Sequence, residues 1–159
     1  MNNKKAFTMI ELVFVIVVLG ILAGVALPRL AVSRGDAQVT TGRADVATIR
    51  SAIITERQQR LFRGNPAFIA TLNPVGSATI FGGLPAAVPD PQILLQYPLT
   101  PAAVQTNGSW TTAGDGINYA YSFGNSNVLP GGGVANFVYV PATGVFDCGA
   151  TAACAALTD

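Results

Sequence analysis

The chain has 159 residues, of which 50% are apolar and 11% charged, with a formal net charge of +1 and a mean hydropathy of +0.46. This length suits one domain plus a further segment, and the composition excludes a disordered polyelectrolyte. The sequence contains no histidine, which removes the commonest general base and the Ser-His and Cys-His nucleophile pairs. All nine lysines and arginines lie at or before Arg63, so the rest of the chain carries only acids.

The first predicted element is an apolar helix over residues 7–27, whose only charge is Glu11. At about 1.5 Å per residue it would be roughly 31 Å long, close to the hydrocarbon thickness of a bilayer. Lys4 and Lys5 stand just before it, so the positive-inside tendency places the N-terminus in the cytoplasm and everything after Pro28 outside. The sequence predicts a single membrane pass.

A plain signal anchor, or a secretory signal peptide cleaved after Ala26, would explain the hydrophobicity of this segment. Neither explains Glu11, because a carboxylate in an apolar span costs a few kcal/mol and is usually retained for a partner. The residues that precede and include it read Lys4-Lys5-Ala6-Phe7-Thr8-Met9-Ile10-Glu11-Leu12. This motif resembles the class III leader of type IV pilins and type II secretion pseudopilins.

The resemblance implies that residues 1–6 form a leader, which a prepilin peptidase removes by cleavage between Ala6 and Phe7, and that Phe7 is then N-methylated. Glu11 and Pro28 match the family pattern, whereas Ala6 stands where glycine is usual. The implied location is the inner membrane, with the head in the periplasm and the filament in the periplasm or outside the cell. The implied partners are membrane lipid, the peptidase, an inner-membrane assembly platform, other pilin-like subunits and further copies in a homo-oligomeric filament.

Cleavage would create an α-ammonium at Phe7, four residues from Glu11. A carboxylate in a dry helical bundle is tolerable only beside an opposite charge. We therefore expect Glu11 to pair with the Phe7 ammonium of a neighbouring subunit, the alternative being that Glu11 reaches the membrane interface in the isolated subunit.

Pro28 predicts a kink or local melting, after which residues 29–63 continue as an amphipathic second half of the same helix. Gly20 and Gly24 lie four apart and mark either a close helix contact or a stretch able to unwind. The helix is expected to end at Gly64-Asn65-Pro66. Its apolar stripe comprises Val32, Val39, Val46, Ile49, Ile53 and Leu61.

Arg43, Arg50 and Arg57 recur in sevens beside this stripe. They read either as a solvated flank of the helix or as a basic edge that meets the acidic head of another subunit.

Residues 64–108 are rich in proline and glycine and predict a long loop on the helix, with at most one helical turn over 92–96. Alternating aromatic residues then predict a strand over 117–123 that faces the helix. Further strands are expected over 109–112, 134–140 and 145–148. The predicted fold is α+β, a long kinked helix followed by an antiparallel meander over 109–147, as in pilins.

Cys148 and Cys154 lie in the last predicted segment, 148–159. Two cysteines without further ligands do not favour zinc, and outside the membrane we expect a disulfide rather than a free pair.

Asp115, Asp147, Asn125 and Asn127 could bind calcium, as in major secretion pseudopilins, but turn residues are the preferred interpretation. We otherwise expect no cofactor and no catalytic residue. A head without lysine or arginine also lacks the electrostatic attraction that nucleic acid binding needs.

The function predicted is that of a structural subunit of a type IV pilus or a type II secretion pseudopilus, and not of an enzyme. The alternatives are a minor, priming subunit and a membrane-anchored extracytoplasmic binding module or enzyme, which the absence of paired carboxylates and of a phosphate loop disfavours. Adhesion, motility, DNA uptake and secretion are not distinguished by these residues.

Overall fold

The computed structural model describes residues 7–73, 79–81, 94–97, 99 and 101–159, and the side chains of all of these except 28–32. Helix α1, Met9–Phe62, is followed by strands β1 (Ser109–Thr112), β2 (Asn118–Phe123), β3 (Gly133–Val140) and β4 (Val145–Cys148) and by helix α2 (Ala152–Thr158). The fold is α+β and pilin-like, as predicted. The helical turn expected over 92–96 lies partly outside the described residues.

Helix α1 runs without interruption through Pro28. The expected local melting at this residue is therefore wrong, whereas the kink stays a prediction. A proline removes only one backbone donor from the helix, and the hydrogen bonds on either side keep the two halves in one element.

The end of α1 forms where the glycine signal predicts it. Gly64 adopts a positive φ of 81°, and the N–H of Asn65 donates to the carbonyl of Arg60 (2.9 Å) while that of Gly64 donates to Leu61 (3.0 Å). These two bonds are the Schellman arrangement, which satisfies the last carbonyls of a helix.

The four strands form one antiparallel sheet in the order β1-β2-β3-β4. The side chains of Tyr119, Tyr121 and Phe123 on β2 are buried. On β3 the buried side chains alternate with exposed ones; the buried residues are Ala135, Phe137 and Tyr139, and the exposed ones are three valines and Asn136. This alternation lays one face of the sheet on α1. The stripe of α1 that it covers consists of Val39, Val46, Ile49 and Ile53.

Two glycines let the sheet and its loops approach α1 closely. A Cβ added at Gly42 would contact the ring of Tyr121 and the side chain of Leu157, and one at Gly35 would collide with the backbone of Asn125. By contrast, the stripe residue Leu61 is 48% exposed. The buried part of the stripe therefore ends before Leu61.

Helix α2 replaces the loop expected over 148–159. Thr151 caps it by accepting from the N–H of Cys154 (3.2 Å), and Ala153, Cys154, Ala156 and Leu157 are buried. A disulfide joins Cys148, the last residue of β4, to Cys154. Small apolar residues at helical spacing thus pack the C-terminus on α1 and β3.

The arginines in sevens contact the head of their own chain. The Nε of Arg43 donates to the carbonyl of Ala156 (2.8 Å), and the guanidinium of Arg57 lies 3.9 Å from the ring centre of Phe68. Arg50 donates from Nε to the carbonyl of Phe146 (3.0 Å) and pairs with Asp147 (2.9 Å).

We call these three residues the arginine ladder. Arg43 and Arg57 are exposed and Arg50 is half-buried, so the predicted solvated flank holds for two of the three, although each also contacts its own head. The predicted contact to a neighbouring head stays a prediction. The partners of Arg43 and Arg50 lie 113 and 96 residues away along the chain, where no local pattern points to them, whereas Phe68 follows Arg57 closely in sequence.

The arginine ladder predicts that Arg50→Gln weakens folding by about 1–2 kcal/mol, mainly through the lost charged hydrogen bond to Phe146, since exposed ion pairs add little. Urea unfolding of the full chain in detergent measures this change through the fluorescence of the single tryptophan. Arg34→Gln, at an exposed position of the same helix, is the control and should unfold like the wild type. Equal midpoints for Arg50→Gln and the wild type would contradict a role of the ladder in folding.

A half-buried carboxylate lies at the core. Trp110 donates from Nε1 to Asp45 (2.9 Å), and desolvation raises the pKa of Asp45 above its ordinary value of 3.8, against the opposing effect of this hydrogen bond. The folded chain therefore binds this proton more readily than the unfolded chain, so the cost of the buried charge is present at neutral pH and disappears as the pH falls.

We expect Asp45→Asn to stabilise the head at pH 7.5, because the amide oxygen still accepts from Trp110 without a charge to desolvate. Its advantage over the wild type should shrink as the pH falls towards 4, which urea unfolding at several pH values measures. An advantage that stays constant or grows on acidification would contradict the assignment.

Candidate processing and assembly segment

The N-terminal end of α1 is fixed by a threonine cap. Thr8 has extended backbone angles (φ −81°, ψ 150°), and its Oγ1 accepts from the N–H of Glu11 (3.3 Å). Its carbonyl accepts from the N–H of Leu12 (3.2 Å). Phe7 and Thr8 therefore lie outside the helix, which begins at Met9.

The first half of α1 is not covered by any described part of its own chain. Met9–Leu27 has a mean hydropathy of 2.9, and none of it is buried. Phe7 is 81% exposed, and a Cβ added at Gly20 or Gly24 would meet nothing within 4 Å. An apolar helix of this length, fully exposed, is long and apolar enough to cross a bilayer and needs cover from lipid or from other helices.

Glu11 is the single charge on this apolar helix. Its carboxylate forms no ion pair with another described residue. It stands in the first turn of α1, where the partial positive charge of the helix N-terminus favours an acid. The helix N-terminus therefore stabilises the Glu11 carboxylate even without a partner from another chain.

The arrangement is that of a capped apolar helix, with an acid in its first turn, preceded by a short basic segment. The family model of the prokaryotic N-terminal methylation motif matches residues 1–27. This motif, a short leader followed by an apolar segment, is the one found in class III prepilins, the precursors of type IV pilins and pseudopilins. The motif implies processing by a prepilin peptidase, and together with the apolar helix it indicates membrane anchoring. Comparison with curated proteins and with solved structures found no significant match.

Of the two predicted processing residues, Ala6 and Phe7, only Phe7 lies in the described part of the chain. Residues 1–6, including Ala6, lie outside the described residues, whereas Phe7 is described and exposed. The predicted assembly residues Gly20 and Gly24 lie on the exposed helix, and Pro28 is helical.

The candidate calcium ligands make other contacts. Desolvation acts to raise the pKa of Asp115, but the hydrogen bonds from Asn118 and Ile117 outweigh it and lower this pKa below the ordinary value. Asp147 pairs with Arg50. Within the described ranges no three Asp, Glu, Cys or His side chains come together in a way that could hold a metal ion.

The asparagines serve the loop between β2 and β3. Asn125 accepts from the N–H of Gly131 (2.9 Å), and Asn127 donates from its backbone N–H to Asp36 on α1 (2.7 Å). Asp36 thereby ties this loop to the helix near Gly35, a role that the sequence analysis missed. The role of Thr8 was missed as well, although a threonine followed three residues later by glutamate is a known start signal for helices.

Proposed function

We propose that this chain is a structural subunit of a type IV pilus or a type II secretion pseudopilus. It is held in the inner membrane with its head in the periplasm, cleaved between Ala6 and Phe7, N-methylated at Phe7 and polymerised into a helical filament. The observation that carries the proposal is the complete exposure of Met9–Leu27 in a chain whose first 27 residues match the methylation motif.

The two halves of α1 have different surroundings, which supports the proposal. The head covers the helix only from Gly35 onward among the described residues, and the preceding apolar half is left for an environment outside the subunit. In the stored subunit that environment would be lipid, and in a filament it would be the same half of neighbouring subunits. At about 1.5 Å per residue the whole helix is about 80 Å long, enough to cross a bilayer and carry the head beyond it.

The electrostatic part of the proposal concerns Glu11 and the new N-terminus. Removal of the leader takes Lys4 and Lys5 away and leaves the Phe7 ammonium as the positive charge nearest to Glu11 in sequence. A buried carboxylate is stable only with such a partner. Pairing between neighbouring subunits would neutralise both groups and fix the axial offset of the two helices.

The first test is the mass of the mature protein. We expect a chain that begins at N-methylated Phe7 and contains no lysine, because both lysines lie in the leader. Intact-mass measurement detects this species, and a lysine-specific protease should leave it uncut. A mature chain that begins at Leu27, or one that retains Met1, would refute the proposal.

The second test removes the charge of Glu11. Glu11→Gln and Glu11→Ala should insert and be cleaved normally, but enter sedimentable filaments at least about tenfold less well, because the Phe7 ammonium is buried without a counter-charge. Glu11→Asp keeps the charge and should recover part of the assembly. Wild-type incorporation of both uncharged variants, at equal subunit levels, would refute the pairing.

A further inference from the structure

We infer that Thr8 is a positioning residue for leader removal: its side chain ends the helix one residue short of Phe7 and so keeps the bond between Ala6 and Phe7 available to the peptidase. The inference rests on the proposed function. It concerns the conformation of the substrate and not a contact between Thr8 and the enzyme.

Two oxygen atoms compete as acceptors for the N–H of Glu11: the carbonyl oxygen of Phe7 and Oγ1 of Thr8. In a helix that continued towards the N-terminus, the N–H of Glu11 would donate to the carbonyl of Phe7, four residues earlier. In the structure this N–H donates instead to Oγ1 of Thr8. The threonine hydroxyl thus takes the place of the Phe7 carbonyl and stops the helix at Met9.

The same continuation would involve the scissile bond. In a helix extended by one more residue, the N–H of Ile10 would donate to the carbonyl of Ala6, which is the carbonyl that the peptidase must attack. A helical peptide bond has this oxygen engaged and its chain coiled, so it has to unwind before it fits an extended substrate cleft. A cap placed at Thr8 avoids this cost.

The sequence before the cap would otherwise favour a longer helix. Lys4, Lys5 and Ala6 all have good helix propensity, and the apolar helix that follows is already formed, so adding a turn needs no new nucleation. The stop signal is therefore the extended conformation of Thr8 (φ −81°, ψ 150°) and its side-chain bond. Thr8→Ala removes the acceptor and inserts the best helix former.

The full chain is placed in membrane vesicles that contain prepilin peptidase. Mass measurements at successive times then give the rate of leader removal. We expect Thr8→Ala to be cleaved about fivefold more slowly, the factor that corresponds to a typical loss of a helix cap. Thr8→Ser keeps the acceptor and should be cleaved at nearly the wild-type rate. Equal rates for Thr8→Ala and the wild type would overturn the inference.

A second substitution separates conformation from direct recognition. Proline at the first helical position is well tolerated and disfavours a helical conformation of the residue before it. Met9→Pro, introduced into Thr8→Ala, should therefore restore cleavage without restoring the hydroxyl. If Met9→Pro alone is cleaved like the wild type but does not rescue Thr8→Ala, the peptidase reads the hydroxyl itself and the inference is wrong.

A measurement without the enzyme provides the remaining control. In the uncleaved full chain in micelles, the carbon chemical shifts of labelled Phe7 should be non-helical in the wild type and become helical in Thr8→Ala. Unchanged shifts would overturn the inference. A wild-type chain that the peptidase leaves intact would instead contradict the proposed function.

Discussion

The structure depends on an apolar helix that the described part of its own chain leaves uncovered. Met9–Leu27 is entirely exposed, while the sheet and α2 pack on α1 only further along, from Gly35 onward among the described residues. Burial of apolar surface is the main favourable term in folding and association. This half of the helix therefore has to gain that stabilisation from surroundings other than the described part of its own chain, such as lipid or other helices.

The second half of α1 is committed to its own head. Its apolar stripe lies under the aromatic side chains of the sheet, and the arginine ladder (Arg43, Arg50 and Arg57) holds α2, β4 and Phe68 against the same helix. Arg50 is half-buried, and without it the carbonyl of Phe146 would lose its donor. These three cations therefore contribute to holding the head on its own helix.

Most of the helices and strands could be predicted because each of them depends on residues that are close together in the sequence. The alternating aromatic residues of β2 predicted its inner face, and Gly64 predicted the end of α1. Helix α2 was missed since seven mostly small residues have no polar face to reveal a period. The contacts of Arg43 and Arg50 could not be predicted because they join residues that are distant in sequence. The cap at Thr8, by contrast, has a local signal in the glutamate three residues later.

Each edge of the sheet has a carbonyl that is already bonded within the chain. At the β4 edge the carbonyl of Phe146 accepts from Arg50, and at the β1 edge the carbonyl of Trp110 accepts from the N–H of Ala102 (3.0 Å). Blocked edges discourage pairing with a strand of another copy. Under the proposed function, assembly then rests on apolar helices, whose attraction is non-directional and permits sliding. A charge pair between Glu11 and a neighbouring Phe7 ammonium would supply the missing register, since displacement along the axis would leave both charges unpaired in a dry core.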